Sequence, residues 1–184
     1  MLRNIFRKRV IEQVGEPLYA SVAAQSRQPG FYTRMGVADR IDARFEVYTL
    51  HVLLLILRLR DEDLSPEGVQ TSGPGGEAAQ SLFDAYVSAL DNVLRELGVG
   101  DTSMARKMRS LGEALYGRMV AYEGPLRQAD EAALTLLLAR NVFGDELATG
   151  GADLALYALE ARKQLTGQAF EDILQAPVWP AVAA

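Results

Sequence analysis

The sequence predicts an all-α protein, folded as a single-domain bundle of about six to eight helices. Apolar residues recur at helical spacing, most regularly from Ser81 to Leu97, where they form one stripe with polar residues outside it. The next segment repeats this pattern from Met104 to Tyr122, in steps of three and four residues. The sequence contains no stretch of apolar–polar alternation bounded by hairpin turns. These observations favour helices throughout the chain and predict no sheet.

Glycine and proline mark where the predicted helices begin and end. A basic segment at 1–14, which we expect to be amphipathic, precedes the domain at 15–176, and residues 177–184 form a tail. Pro and Gly are concentrated in Thr71–Gly76, which predicts a flexible linker between helices, and Gly124-Pro125 predicts another helix end. In chain order, the predicted helices span about 18–28, 42–60, 81–97, 104–122, 129–142, 152–165 and 170–174.

The composition excludes several classes of protein and site. The 184 residues contain no cysteine, which rules out disulfides, thiolate nucleophiles, Cys-ligated zinc and iron–sulfur clusters. His51 is the one histidine, so a His-rich metal site within one chain is excluded too. The formal net charge of −5 argues against DNA binding. The most apolar run, Val52–Leu57, is too short to span a bilayer and predicts a buried core helix.

The N-terminal segment differs in charge from the rest of the chain. Residues 1–9 carry four basic side chains and no acid, a local charge of +4 that leaves −9 elsewhere. Leu2, Ile5, Phe6 and Val10 would share one face of a helix here. Such a segment suits an anionic lipid surface or RNA. The alternative is a solvated chain end.

The sequence shows no set of residues typical of an enzyme. Gly73–Gly76 and Gly98–Gly100 follow no predicted strand and lack the other residues of a phosphate-binding loop, so they are interpreted as a linker and a helix stop. His51 lies in an apolar helix, where a hydrogen-bonded core or groove histidine is the expected role. Asp61–Asp63 are expected to form a solvated helix end. We therefore predict that the protein is not an enzyme and binds no metal or other cofactor.

Several cationic and aromatic residues are candidates for recognition. Lys107 and Arg118 are eleven positions apart, three helical turns, so both cations lie on one side of their helix. We expect both to be exposed and to contribute little to folding. An aromatic corner at Phe31-Tyr32 and the Arg44-Phe45 pair are further candidates.

A series of short motifs lies in order between about Leu18 and Tyr122, over more than half of the chain. They are Leu18-Tyr19-Ala20, Gln25-Ser26-Arg27, Pro29-Gly30-Phe31-Tyr32, Gly36-Val37, Arg44-Phe45, Leu50-His51, Leu82-Phe83-Asp84, Leu94-Arg95-Glu96-Leu97-Gly98-Val99-Gly100-Asp101, Arg106-Lys107-Met108 and Tyr116-Gly117-Arg118. In this order and spacing they resemble the ubiquinol–cytochrome c chaperone family.

The resemblance implies an assembly factor. Mitochondrial members of the family bind newly made cytochrome b near the ribosome exit and help it into respiratory complex III. For this chain, the resemblance implies nascent or unassembled cytochrome b as the client. An anionic membrane surface or the ribosome is a further expected contact, and a small partner subunit is a third. Bacterial relatives look cytoplasmic and peripheral to the inner membrane. We expect such a bacterial protein rather than one of the mitochondrial matrix, because the match begins about seventeen residues into the chain.

A chaperone of this kind needs exposed apolar surface beside basic residues. For each aromatic candidate the alternative is packing between helices. The alternative function is a helical small-ligand carrier, with a pocket for haem or lipid around His51. We take the following residues as the client-binding surface: Phe31, Tyr32, Arg44, Phe45, Lys107, Tyr116 and Arg118.

Overall fold

A computed structural model describes residues 14–96, 98 and 100–183, and it confirms the all-α prediction. Within these residues there is no sheet, and Leu64 and Gln70 form an isolated antiparallel bridge. None of the described helices is long and apolar enough to cross a membrane. Residues 1–13 of the basic segment lie outside the description. The helices are α1 (Gly15–Ser26), α2 (Pro29–Thr33), α3 (Ile41–Asp61), α4 (Pro74–Glu96), α5 (Asp101–Gln128), α6 (Glu131–Leu138), a π-helical turn (Ala139–Phe143), α7 (Gly150–Thr166) and α8 (Phe170–Gln175).

Helix α3 is the centre of the bundle. From Val47 to Leu59 every residue except Tyr48 is buried. This segment is apolar on nearly all sides, and such a helix must be covered all round. Helices α1, α4 and α7 provide most of that cover. The core helix predicted at 42–60 is confirmed, with one further residue at each end.

The predicted linker at Thr71–Gly76 is partly helical, because α4 already begins within it. The carboxylate of Asp63 accepts hydrogen bonds from the backbone N–H groups of Gly75 at 3.2 Å and Gly76 at 2.6 Å. These bonds satisfy donors that the first turn of a helix leaves free. A Cβ on Gly75 would lie 2.1 Å from the Leu59 carbonyl oxygen, so glycine permits the close approach of α4 to α3. Asp63 is therefore a buried cap, which corrects the expectation of a solvated end.

Asp61 joins the ends of three helices. Its carboxylate accepts a hydrogen bond from Arg127 of α5 at 2.7 Å and another from Arg162 of α7. The other end of α5 is different, since no residue from 105 to 114 is buried. Helix α5 is thus anchored through its C-terminal half, and residues 105–114 of its N-terminal half lie at the surface.

Helix α5 continues past the point where we predicted its end. Gly124-Pro125 lie inside the helix, which ends at Gln128. Proline removes one backbone hydrogen bond, and here it does so within four residues of the helix end. The chain turns at Ala129, whose φ of 53° is in the left-handed region. The helix predicted at 129–142 is correspondingly shorter: α6 begins after Asp130 and is followed by the π-helical turn.

Candidate functional site

Phe31 lies in the hydrophobic core and not at the surface. Its side chain is fully buried, and its ring packs edge-on against His51 and Tyr157, with ring centroids 5.3 and 4.8 Å apart. Edge-to-face contacts of this kind are typical of aromatic cores. The expectation that Phe31 lies on an exposed binding surface is therefore wrong, and for this residue the alternative of packing between helices holds.

Tyr32 and Arg44 form a small surface patch that is already partnered. The guanidinium carbon of Arg44 lies 5.2 Å from the centroid of the Tyr32 ring, within the range of a cation–π contact. Arg44 is also hydrogen-bonded to Asp39, which lowers the pKa of the Asp39 carboxyl below its ordinary value. The Tyr32 hydroxyl donates to the Ser26 carbonyl at 2.9 Å. This patch therefore offers less free charge than the sequence suggested.

Phe45 lines a cleft of about 570 Å³, which we call the Phe45 cleft. It lies between the start of α3, the end of α4, the middle of α5 and the π-helical turn. Leu90 belongs to the apolar stripe predicted for Ser81–Leu97, but it is only partly buried because it lines this cleft. The other apolar side chains around it are Ile41, Ala43, Val93, Leu94, Leu111, Val142 and Phe143.

Arg118 is an ion-paired residue, and Lys107 is an exposed cation that forms no ion pair with another described residue. The guanidinium of Arg118 binds Glu46 of α3 with both ends, at 2.7 Å from Nη2 and 3.1 Å from Nε. The two side chains are 27% and 11% exposed. Hydrogen bonding to Glu46 raises the pKa of Arg118. The expected exposure of both cations thus holds for Lys107, but it is wrong for Arg118.

Tyr116 stands at a larger cleft of about 640 Å³ between α4 and α5, which we call the Tyr116 cleft. Tyr116 is 69% exposed, and Val120, one turn later on α5, is 63% exposed. Exposed apolar side chains beside a concave apolar surface are typical of a binding site. The apolar lining residues are Ile56, Ala79, Phe83, Leu115, Tyr116 and Met119. The polar lining residues are Arg60, Gln70, Thr71, Ser72, Glu77 and Gln80.

Most residues of the Tyr116 cleft were missed from the sequence. Phe83, Leu115 and Met119 fit the periodic stripes of α4 and α5, and such stripes predict a core-facing position. The width of the α4 stripe is the signal that could have shown the cleft. When an apolar stripe is broader than one neighbouring helix can cover, the apolar side chains at its edge remain available to another partner.

His51 is a core residue whose two ring nitrogens are both occupied. Because a carbonyl oxygen can only accept, Nδ1–H donates to Val47 at 2.7 Å, and Nε2 then accepts from the Tyr157 hydroxyl at 2.8 Å. That hydroxyl accepts a hydrogen bond from Gln25 at 3.0 Å. Trp179 packs on the same ring, with centroids 5.3 Å apart. Burial lowers the pKa of His51 to about 4, so the side chain is neutral at pH 7.

These contacts confirm the expected hydrogen-bonded core histidine. They also leave neither imidazole nitrogen open to haem iron, which argues against ligation of haem by His51. His51 lines neither the Phe45 cleft nor the Tyr116 cleft. Trp179 belongs to the predicted tail, and residues 177–183 carry no helix but pack in part on the core, with Pro177 buried. In the described part of the chain no group of three or more metal-ligating side chains occurs. What the described clefts provide is an apolar binding surface with charged edges.

The family to which this chain belongs follows from comparison with known proteins. The family model of the ubiquinol-cytochrome C chaperone matches residues 33–180, most of the chain. The chain therefore belongs to the ubiquinol–cytochrome c chaperone family, and the resemblance of its motifs to that family is confirmed.

A solved structure is similar over the whole length. The crystal structure of the Cbp3 homolog from Brucella abortus superposes with a TM-score of 0.82 at 28% sequence identity, over 99% of this chain and 98% of that one. Comparison with curated proteins finds no similar sequence. The similar structure comes from a bacterial protein, and it supports the helical architecture described above.

Proposed function

We propose that this protein is an assembly chaperone, not an enzyme, which holds newly made cytochrome b and assists its incorporation into respiratory complex III. Membership of the ubiquinol–cytochrome c chaperone family supports this role. The observation that carries the proposal is the open Tyr116 cleft. A membrane subunit that has not been inserted exposes apolar helices to water, and covering them is favourable by about 25 cal/mol per Å² of apolar surface.

The proposal predicts that Tyr116→Asp reduces capture of cytochrome b about tenfold or more. The exposed ring of Tyr116 would pack on the client, whereas a carboxylate there would have to be desolvated without a partner. Stability should change by less than about 0.5 kcal/mol, because this position is at the surface. The measurement is a crosslinked pull-down from membranes of the source cell, with cytochrome b quantified by mass spectrometry.

Leu147→Asp is the matched control for this variant. Leu147 is 88% exposed in the loop before α7 and lines none of the clefts described above. It should therefore capture cytochrome b as well as the unchanged protein does. Equal capture by the Tyr116 and Leu147 variants would contradict the assignment of client binding to the Tyr116 cleft.

We also propose that the chaperone works at an anionic membrane surface, on the cytoplasmic side of a bacterial inner membrane. Arg106, Lys107 and Arg109 are exposed on the surface half of α5, and none of them forms an ion pair with another described residue. Each such cation contributes about 1 kcal/mol near an anionic bilayer. Contact with the ribosome and contact with a small partner subunit stay predictions.

Reversing two of these charges tests the membrane proposal. Arg106→Glu with Lys107→Glu should weaken binding to vesicles of anionic phospholipid by tenfold or more, with the larger loss at low salt, where screening is least. Co-sedimentation with vesicles measures this. Arg27→Glu with Arg34→Glu makes the same change in net charge at exposed positions that directly follow α1 and α2. If both double variants lose binding equally, net charge rather than the α5 surface is responsible.

A further inference from the structure

We propose that the Tyr116 cleft receives the end of an apolar helix, where the apolar stretch meets its charged flank, rather than the middle of such a helix. The proposal rests on the proposed chaperone function, and it specifies which part of a client polypeptide the cleft holds. Two properties of the cleft lead to it: its size and the division of its lining.

The cleft is small compared with a membrane-spanning segment. A helix about 10 Å across that rises 1.5 Å per residue occupies on the order of 120 Å³ per residue. A cleft of about 640 Å³ therefore accommodates roughly five residues of helix, between one and two turns. A spanning helix has about 20 residues. The cleft can hold one short part of such a helix, and its lining decides which part.

The lining of the cleft has an apolar part and a polar part. Phe83 of α4 and Met119 of α5 belong to the apolar wall. Arg60 at the end of α3 and Glu77 in the first turn of α4 lie beside the α3–α4 connection, and they bring one charge of each sign. Neither of these two residues forms an ion pair with another described side chain. The cleft therefore presents apolar surface next to an unpaired cation and an unpaired anion.

A helix end fits this division and a helix centre does not. The ends of membrane-spanning helices pass from apolar to charged and polar residues within a turn or so. Seated here, the apolar turn would cover Phe83 and Met119 while the charged flank pairs with Arg60 and Glu77. The centre of such a helix would instead cover both charged groups with hydrocarbon, which is costly for unpaired ions.

Three designed helical peptides of equal length test the proposal with the full chain. The first has an apolar stretch followed by a Glu and a Lys at its end, the second has the same residues with both charges moved to the middle, and the third has serine in place of both charges. Fluorescence anisotropy measures their affinities. We expect the first peptide to bind at least tenfold more tightly than the second, and several-fold more tightly than the third.

Variants of the cleft separate the contributions of its two parts. Arg60→Ala with Glu77→Ala should remove the preference for the first peptide over the third and leave apolar binding. Tyr116→Asp should weaken the binding of the first and third peptides, and Leu147→Asp should change nothing. Thermal unfolding of each variant checks that the fold is retained.

Distinct outcomes overturn this proposal and the proposed function. Equal binding of the first and third peptides to the unchanged protein overturns the helix-end assignment, even if cytochrome b is still captured in the pull-down. The unchanged protein could instead form a dimer with increasing concentration and bind no peptide, and Tyr116→Asp could abolish that dimer. This result would assign the cleft to a second copy of the chain and would also overturn the helix-end assignment. Failure to capture cytochrome b at all is a failure of the proposed function, and the pull-down shows this independently of the peptides.

Discussion

Lowering the pH from about 6.5 to about 4 should destabilise the folded chain by about 3 kcal/mol through His51 alone. The pKa of His51 falls from its ordinary value of 6.5 to about 4 in the folded state, because the buried ring cannot be solvated as a cation. Between these values the unfolded chain binds a proton that the folded chain does not. The contribution of neutral His51 to the free energy of unfolding is therefore complete above pH 6.5 and decreases as the pH falls. Below about pH 4 it does not decrease further.

The measurement is urea unfolding at several pH values between 7 and 4, compared with His51→Gln. The chain has one histidine, so no other imidazole titrates in this range. Carboxylates that begin to titrate near the lower limit are common to both proteins and cancel in the comparison. The variant will be less stable at pH 7, since a glutamine amide cannot reproduce the packing of the ring together with its hydrogen bonds to both Val47 and Tyr157, but its stability should depend much less on pH. Equal pH dependence in the two proteins would show that His51 does not control acid unfolding.

The elements of the fold that were predictable are those that local sequence determines. The apolar run of α3 predicts a central helix because the run with its flanks is longer than a buried strand, and a helix that is apolar on nearly all sides must be covered all round. The end of α5 was not predictable in this way. A Gly-Pro pair usually ends a helix, but here the Asp61 carboxylate holds Arg127 and favours continuation beyond Pro125. That contact joins residues 66 positions apart, and no local pattern contains it.

The candidate site was predictable only in part, because it too depends on contacts between residues that are far apart in the sequence. Residue types indicated which side chains are suited to recognition, but burial depends on which helices meet. Phe31 and Tyr116 are both aromatic residues in helical segments, yet one is in the core and the other is 69% exposed. Arg118 and Lys107 share a helix side, but only Arg118 lies opposite a carboxylate on α3. Tyr116 remains a candidate because it lines the larger cleft.

The ion pair between Arg118 and Glu46 is expected to contribute strongly to stability. Arg118→Ala should lower the free energy of unfolding by about 2–3 kcal/mol, because it leaves the largely buried Glu46 carboxylate without its two charged hydrogen bonds. Lys107→Ala, on the same side of α5, should change it by less than about 0.5 kcal/mol. Urea unfolding at pH 7 measures both, and similar losses in the two variants would contradict the distinction between them.

A double-mutant cycle separates the pair from other effects of truncation. Glu46→Ala and Arg118→Ala combined should cost less than the sum of the single changes, by about 1–2 kcal/mol, because each single variant leaves a partner unpaired. Glu46 lines the Phe45 cleft, and Arg118 lies next to Met119 of the Tyr116 cleft. The pair thus fixes the helix that forms a wall of both clefts. Client capture by Arg118→Ala should fall even where the variant is fully folded, whereas unchanged capture would mean that other contacts position α5.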